Sequence, residues 1–203
     1  MDHVVIPIGR DHTHTIDLLV AGAAAAAGID LPPAGSSPHV TLVAYSGLSR
    51  TVALREIRAL VMTLQPFALH AHGYGFFAGD DPTDLSLHVQ VVRTRLLDAL
   101  HAGVCDRLAR VGADIAPWSA PDVWSPHITL IDRALDPVRL GAAVAWLSRR
   151  HHPSWTISVD RAIVTGGWRD RQHGDDSPID MAAAVDLRVP PSGCAPPART
   201  IAG

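Results

Sequence analysis

The sequence predicts an α+β protein in which two equivalent lobes face each other across a central cleft. Strand and helix patterns alternate along the chain, a seven-residue string occurs twice, and the segments after each copy keep the same spacing. We expect one domain over residues 1–189, with repeat halves at about 1–83 and 84–189 related by a pseudo-two-fold axis. Hydrophobic residues make up 47% of the 203 residues and charged residues 18%, which suits a packed core.

The elements of each half follow from periodicity and from turn residues. In the first half, Thr13 or Thr15 can cap a helix that Gly28 can end, and apolar residues at helical spacing mark a second helix. The predicted elements of this half are a strand at 4–8, a helix at 13–28, a strand at 38–45, a helix at 51–64 and a strand at 67–77. In the second half, alternating residues indicate a strand, and Pro137 suits the first turn of a helix. The predicted elements of this half are a strand at 85–92, a helix at 94–110, a loop at 116–125, a strand at 126–131, a helix at 137–150, a strand at 155–164, a polar loop at 166–178 and a strand at 181–189. Residues 190–203 are rich in Pro, Gly and Ala and predict a disordered tail.

The repeated string is the most informative feature of the sequence. Residues 37–43 read Ser-Pro-His-Val-Thr-Leu-Val, and residues 125–131 read Ser-Pro-His-Ile-Thr-Leu-Ile, 88 positions later. Five of the seven positions are identical, and the other two are conservative apolar exchanges. An aromatic residue follows each histidine by 28 positions and a glycine by 40. A pseudo-two-fold axis would therefore bring the two motif strands close together at the cleft.

The polar residues of each string share one face of a strand, because side chains two positions apart point the same way. Packing accounts for the apolar residues between them but not for the polar ones, and only two of the 12 histidines are followed two positions later by threonine. Hydrolysis of a phosphodiester needs a base for the attacking water and an acid for the leaving oxygen, and histidine can serve as either near neutral pH. Threonine hydroxyls can donate hydrogen bonds to the nonbridging oxygens. The predicted catalytic residues are His39, Thr41, His127 and Thr129.

The duplicated motif resembles that of the two-histidine phosphoesterase superfamily, and most closely the 2′-5′ RNA ligases, or RNA 2′,3′-cyclic phosphodiesterases. The resemblance extends over roughly residues 4–189 and includes the Pro66-Phe67 strand start and the Phe76-Phe77 turn. It implies a bilobal fold with a central cleft and metal-independent hydrolysis of 2′,3′-cyclic phosphate ends, with the four motif side chains in the family's catalytic positions. It also implies a basic residue two positions after Leu130, where this sequence has Asp132 followed by Arg133.

Five further residues are candidates for substrate contacts. Tyr45 lies on the His39 face if the strand continues regularly and could stack on a base, and His88 lies on the polar face of its strand. Two tryptophans lie in loops near the ends of the motif strands, and one arginine follows the second motif. For Tyr45 and His88, packing or an exposed sheet face explains the residue as well as a substrate contact does, and for the tryptophans and the arginine, packing or a solvated charge explains it better. These candidates are Tyr45, His88, Trp124, Arg133 and Trp168.

The composition of the chain limits the kinds of binding partner and the cellular setting that we expect. The formal net charge is −3 and all 17 basic residues are arginine, which argues against duplex DNA because such binding needs many phosphate contacts. The longest apolar run, residues 18–29, is too short to span a bilayer. Two distant cysteines give no disulfide framework and favour a reducing, cytoplasmic setting. We expect a monomer without a cofactor or metal, since the paired histidines elsewhere lack a further ligand at metal-site spacing.

Three functions are compatible with the motifs. The first is hydrolysis of 2′,3′-cyclic phosphate termini of RNA or nucleotides, with 2′-5′ ligation as its reverse reaction. The second is a phosphodiesterase for small cyclic or 2′-5′-linked nucleotides. The third is a non-catalytic module that binds nucleotides or RNA. The sequence also leaves open which histidine acts as the acid and which as the base.

Overall fold

The computed structural model describes residues 1–30, 37–150, 152–165 and 184–186, and only the backbone of the last three. The strands are β1 Asp2–Pro7, β2 His39–Ser46, β3 Phe67–Phe77, β4 Leu85–Val91, β5 Asp114–Ile115, β6 His127–Leu135, β7 Ser154–Val159, β8 Arg161–Thr165 and β9 Ala184–Asp186. The helices are α1 Arg10–Ala27, α2 Arg50–Val61, α3 Arg95–Arg110 and α4 Pro137–Arg150, with a 3₁₀ turn at Pro117–Ser119. This α+β content confirms the predicted fold class.

All strand pairs within the described residues are antiparallel, in the order β7-β3-β4-β6-β2-β1-β8-β9, with β5 paired to β2. The two motif strands, β2 and β6, are therefore neighbours at the centre. They join through one residue pair, Val40 with Ile128. This junction separates the lobe formed by β7, β3, β4 and β6 from the lobe formed by β2, β1, β8 and β9.

The spatial lobes do not coincide with the sequence halves. Strand β3 follows the first motif in sequence but pairs with β4 in the lobe of the second motif. Strand β8 follows the second motif but pairs with β1 in the lobe of the first. The aromatic residues that open β3 and β7, Phe67 and Trp155, do not occupy equivalent places in the two lobes. Both strands lie in the lobe of the second motif, where they pair with each other. In each lobe, the third strand counted from the junction therefore comes from the other half of the chain.

Both motif strands contain a bulge at the same position. In the first lobe, Val5 pairs with Thr41 and Val4 pairs with Val43, so Leu42 is the extra residue. In the second lobe, His88 pairs with Thr129 and Leu87 pairs with Ile131, so Leu130 is the extra residue. A bulge bends its strand and turns the following side chains to the opposite face. The shared bulge shows that the pseudo-symmetry extends to the backbone of the site.

The helices form two pairs that cover the back of the sheet. Helix α1 packs against α4 and β6, and α2 packs against α3 and β8. Gly22 of α1 allows the first pair to approach closely, because a Cβ there would lie 2.1 Å from the Trp146 ring of α4. The core between helices and sheet contains the residues that alternate with the motif side chains, including Val40, Leu42, Ile128 and Leu130. This packing leaves the opposite face of β2 and β6 available for a site.

Most predicted elements agree with the structure to within three residues, and β3 and α4 have the predicted bounds. Helix α1 begins earlier than predicted, after Gly9, and Thr13 donates to the Gly9 carbonyl instead of capping the helix. The predicted strand at 155–164 consists of two strands that break at Asp160. The short strand β5 was not predicted. The loop at 166–178 and the tail at 190–203 lie outside the described residues. Within the described part of the chain, no helix is long and apolar enough for a bilayer crossing.

Candidate active site at the junction of the motif strands

The four motif side chains lie on one face of the central strands. His39, Thr41, His127 and Thr129 are all partly exposed and alternate with buried apolar residues. The antiparallel pair of Val40 with Ile128 sets His39 opposite Thr129 and Thr41 opposite His127. The junction therefore brings together the two imidazoles and two hydroxyls that the sequence indicated, with each histidine of one lobe across from the threonine of the other.

The two imidazoles are held by matching hydrogen bonds. Nδ1 of His39 donates to the carbonyl oxygen of Ser37 at 2.9 Å, and Nδ1 of His127 donates to that of Ser125 at 2.8 Å. A carbonyl can only accept, so the hydrogen of each neutral ring resides on Nδ1. Each Nε2 is then left with a lone pair that can take up a proton. The proline between serine and histidine fixes the backbone that places this carbonyl.

Burial lowers the pKa of both motif histidines, because the charged imidazolium is poorly solvated there. For His39 the hydrogen bond to Ser37 opposes this shift, and the nearby His127 lowers the pKa further. For His127 the hydrogen bond to Ser125 and the carboxylate of Asp132 both oppose the effect of burial. Protonation of both imidazoles at once is therefore unfavourable. The carboxylate of Asp132 favours the protonated form of His127.

A third histidine lies beside His127. His88 of β4 pairs with Thr129 and is only 2% exposed. Its ring stacks on Phe77 with centroids 4.2 Å apart and lies 5.0 Å from the His127 ring. Phe77 itself contacts His127 nearly perpendicularly at 4.8 Å. Burial, and secondarily His127, lowers the pKa of His88 to about 4, so the ring stays neutral near pH 7.

A fourth histidine, His3 of β1, lies on the His39 side. It pairs with Ala44 of β2, and burial followed by the charge of His39 lowers its pKa to about 4. Neither His3 nor Phe77 was predicted from the sequence to be a site residue. Alternation along β1 placed His3 on one face with Val5 and Pro7, which was a usable signal. Phe77 lies near His127 only because β3 crosses into the second lobe, which local pattern does not reveal.

Tyr45 is not at the site, which corrects the prediction that it stacks on a base. The side chain is fully buried in the core. The bulge at Leu42 accounts for this, because the extra residue moves Tyr45 to the face opposite His39.

Trp124 is also a structural residue instead of a substrate contact. It is 5% exposed, and its ring stacks on His101 with centroids 3.9 Å apart. Its indole N–H donates to the carbonyl oxygen of Thr41 at 3.0 Å. Trp124 thus ties the loop before the second motif to the first motif strand.

Arg133 is exposed and forms an ion pair with Asp84, with its Nε donating at 2.9 Å. Its φ of 45° lies in the left-handed region. The hydroxyl of Ser86 donates to Asp132 and accepts from the Arg133 backbone N–H. These contacts fix the end of β6 and direct the guanidinium toward Asp84. Trp168 lies outside the described residues.

No group of three or more His, Cys, Asp or Glu side chains within the described ranges is arranged to hold a metal ion.

Comparison with solved structures supports the same fold class. Protein TT0787 of Thermus thermophilus superposes with a TM-score of 0.64 at 17% identity, covering 93% of this chain and 98% of that one. A structure described as a phosphoesterase gives 0.57 at 18% identity, covering 92% and 97%. E. coli LigT in complex with 3′-AMP gives 0.51 at 17% identity, covering 92% and 94%. The chain thus shares its overall fold with these three proteins.

The family follows from the sequence itself. The model of the 2′-5′ RNA ligase superfamily matches residues 22–167, and the chain belongs to this superfamily. The matched range contains both motif strings. No curated protein matches the chain significantly.

Proposed function

We propose that this protein is a metal-independent phosphodiesterase that opens 2′,3′-cyclic phosphates at RNA ends or on nucleotides. The observation that carries the proposal is the pair of matched Nδ1–carbonyl hydrogen bonds, which leave Nε2 of both His39 and His127 to exchange protons with a substrate. Membership of the 2′-5′ RNA ligase superfamily supports the reaction class. The complexes of E. coli LigT with 3′-AMP and with ATP support a nucleotide ligand.

In the proposed reaction a phosphate binds between the two imidazoles. One Nε2 takes a proton from water as the water oxygen bonds to phosphorus. The other imidazole, protonated at Nε2, gives its proton to the ribose oxygen as the P–O bond breaks. The hydroxyls of Thr41 and Thr129 donate to the nonbridging oxygens, where negative charge increases. The base then releases its proton to solvent and the acid takes one up, which restores the starting protonation states of the two imidazoles.

We assign the acid role to His127 and the base role to His39. The carboxylate of Asp132 favours the protonated form of His127, whereas the pKa of His39 is set by burial, by the Ser37 carbonyl and by His127. The reverse reaction would join a 2′,3′-cyclic end to a 5′-hydroxyl. Hydrolysis is the main activity in this proposal because water is abundant.

The pH profile of kcat/KM tests the pair. Both pKa values are lowered from 6.5, and the base must be neutral while the acid is protonated. The fraction of enzyme in this state is largest between the two pKa values, so we expect a bell-shaped profile with its maximum below pH 6.5. A profile that rises steadily to pH 8 would contradict the assignment.

The direct experiment is turnover of 2′,3′-cyclic AMP in the presence of EDTA. The unmodified protein should give a nucleoside monophosphate, and His39→Ala and His127→Ala should each lose activity by roughly 10²–10⁴-fold. His14→Ala, an exposed histidine of α1, is the matched control and should retain full activity. Binding of the nucleotide without turnover in the unmodified protein would support the non-catalytic alternative instead.

The substrate class is tested by a panel. Cyclic mononucleotides, 2′-5′-linked dinucleotides and short RNAs with 2′,3′-cyclic ends are compared by kcat/KM. A preference for RNA ends supports the proposal in its full form. A preference for the small compounds restricts it to nucleotide phosphodiesters.

A further inference from the structure

The surroundings of His127 differ from those of His39 in one specific way. At the position that pairs with the motif threonine, β4 carries His88 and β1 carries Val5. Phe77 of β3 covers His88, and both rings contact His127. The three rings form a cluster of which only His127 belongs to the repeated motif.

The backbone of β3 is adapted to this cluster. Gly75 pairs with His88, and a Cβ at this position would lie 2.5 Å from Nε2 of His88. Any larger residue would therefore displace the imidazole. Nδ1 of His88 is buried and has no hydrogen-bond partner among the described residues. Hydrogen bonding does not account for the place of this ring, whereas its contacts with Phe77 and His127 do.

We infer that the stacked pair Phe77–His88 is a positioning unit that holds the His127 imidazole at the cleft and stabilises its protonated form. An imidazolium is attracted to neighbouring aromatic rings through their quadrupole. His88 can act in this way only while it is neutral, because a second cation would repel the proton on His127. Its burial under Phe77 keeps it neutral, in line with its pKa of about 4.

The charged and titratable groups that bear on His127 come from three strands. His39 on β2 opposes its protonation, and Asp132 on its own strand favours it. On β4, His88 would oppose it if charged, and Gln90, which pairs with His127, carries no charge. Phe77 on β3 is uncharged. The ring pair therefore adds to the effect of Asp132, and both distinguish His127 from His39.

This inference rests on the proposed function for its catalytic meaning but can be tested without substrate. The pKa of His127 is measured by NMR titration of the ring protons, with the signals assigned through His127→Gln. Phe77→Leu removes one ring contact and opens His88 to water, so the pKa of His127 should fall by about half a unit. Phe77→Tyr keeps the ring and should restore the original value.

Two further variants separate positioning from general stability. Phe76→Leu is the matched control, because Phe76 is exposed and pairs with Leu87 on the opposite face of β3. It should leave the pKa of His127 unchanged. His88→Phe keeps a neutral ring and should preserve the pKa, whereas His88→Leu should lower it. An unchanged pKa in Phe77→Leu, or an equal shift in Phe76→Leu, would overturn the inference.

The kinetic counterpart is the alkaline limb of the kcat/KM profile, which reports the acid. In Phe77→Leu this limb should move down with the pKa, giving about threefold lower kcat/KM at a fixed pH on that limb. If the unmodified protein turns over no phosphodiester, the proposed function fails while the NMR titration still decides the inference.

Discussion

His39 and His127 are held in the same way but have different neighbours. Each is preceded by Ser-Pro, donates from Nδ1 to the serine carbonyl, and is followed by a bulge at the motif leucine. The residues Phe77, His88 and Asp132 surround His127. In the lobe of His39, Val5 occupies the position that corresponds to His88. The repeat thus sets the geometry of the two imidazoles, whereas residues outside the repeat make their surroundings different.

The largest expected effect is the loss of activity when either imidazole is removed. Two substrates with different leaving groups distinguish the acid from the base. With a 2′,3′-cyclic nucleotide, His39→Ala and His127→Ala should each lose about 10²–10⁴-fold in kcat/KM. A p-nitrophenyl phosphodiester leaves without protonation, so His127→Ala should recover most of its activity there while His39→Ala should not. The measurement is kcat/KM for both variants on both substrates.

Equal recovery in both variants would contradict the assignment of acid and base. Recovery in His39→Ala alone would reverse it. His14→Ala serves again as the control, because its exposed imidazole on α1 is far from the motif strands in sequence and lies outside the sheet.

The second prediction concerns the threonines. Thr41→Val and Thr129→Val keep the shape of the side chain but remove the donor, and each should lower kcat by roughly 10²-fold with little change in KM. The comparison between lobes predicts similar losses, because each threonine lies across from the histidine of the other lobe. Thr→Ser at each position should restore activity. A loss confined to one threonine would show that the phosphate contacts only one lobe through these hydroxyls.

The sequence was sufficient to predict a bilobal fold, the motif strands and the face that carries the four polar side chains, but not which strands form each lobe. Periodicity is local, and the motif strands contain the i, i+2 pattern within five residues. For the same reason β3 and α4 have the predicted bounds. The repeated string added the one long-range contact that could be inferred, namely the approach of β2 to β6.

The sequence was insufficient where a single residue or a distant strand decides the outcome. The bulge at Leu42 moves Tyr45 into the core, and no turn residue or glycine marks it. Trp124 is placed by its hydrogen bond to Thr41 and its stack on His101, neither of which is a neighbour in sequence. The exchange of β3 and β8 between the lobes depends on sheet pairing, so the contact of Phe77 with His127 could not be predicted.

The third prediction uses pH to probe His88. Its pKa is about 4 in the folded protein and near 6.5 when unfolded, so the unfolded state binds the proton more readily at intermediate pH. The stability that this neutral imidazole contributes is complete above pH 6.5 and is lost as pH falls toward 4. His88→Phe should therefore reduce the loss of unfolding free energy between pH 7 and 4.5 by on the order of 2 kcal/mol.

Urea denaturation at the two pH values gives this difference independently of any constant effect of the larger ring. His14→Phe, at an exposed position of α1, should leave the pH dependence as it is in the unmodified protein. A pH dependence that is identical in His88→Phe and in the unmodified protein would mean that His88 titrates normally and is not shielded by Phe77.

The smallest expected effect concerns the hydrogen bond between Trp124, in the loop before the second motif, and Thr41 of the first motif strand. Trp124→Phe keeps a ring to stack on His101 but removes the N–H that donates to the Thr41 carbonyl, leaving this acceptor without its partner. We expect a loss of about 1 kcal/mol in the free energy of unfolding and a change in kcat of less than about threefold. Trp118→Phe, the same substitution at an exposed tryptophan of the 3₁₀ turn, should change neither quantity. If Trp124→Phe lowers kcat as strongly as Thr41→Val, then the backbone of β2 must be held from the other lobe for the hydroxyl of Thr41 to act.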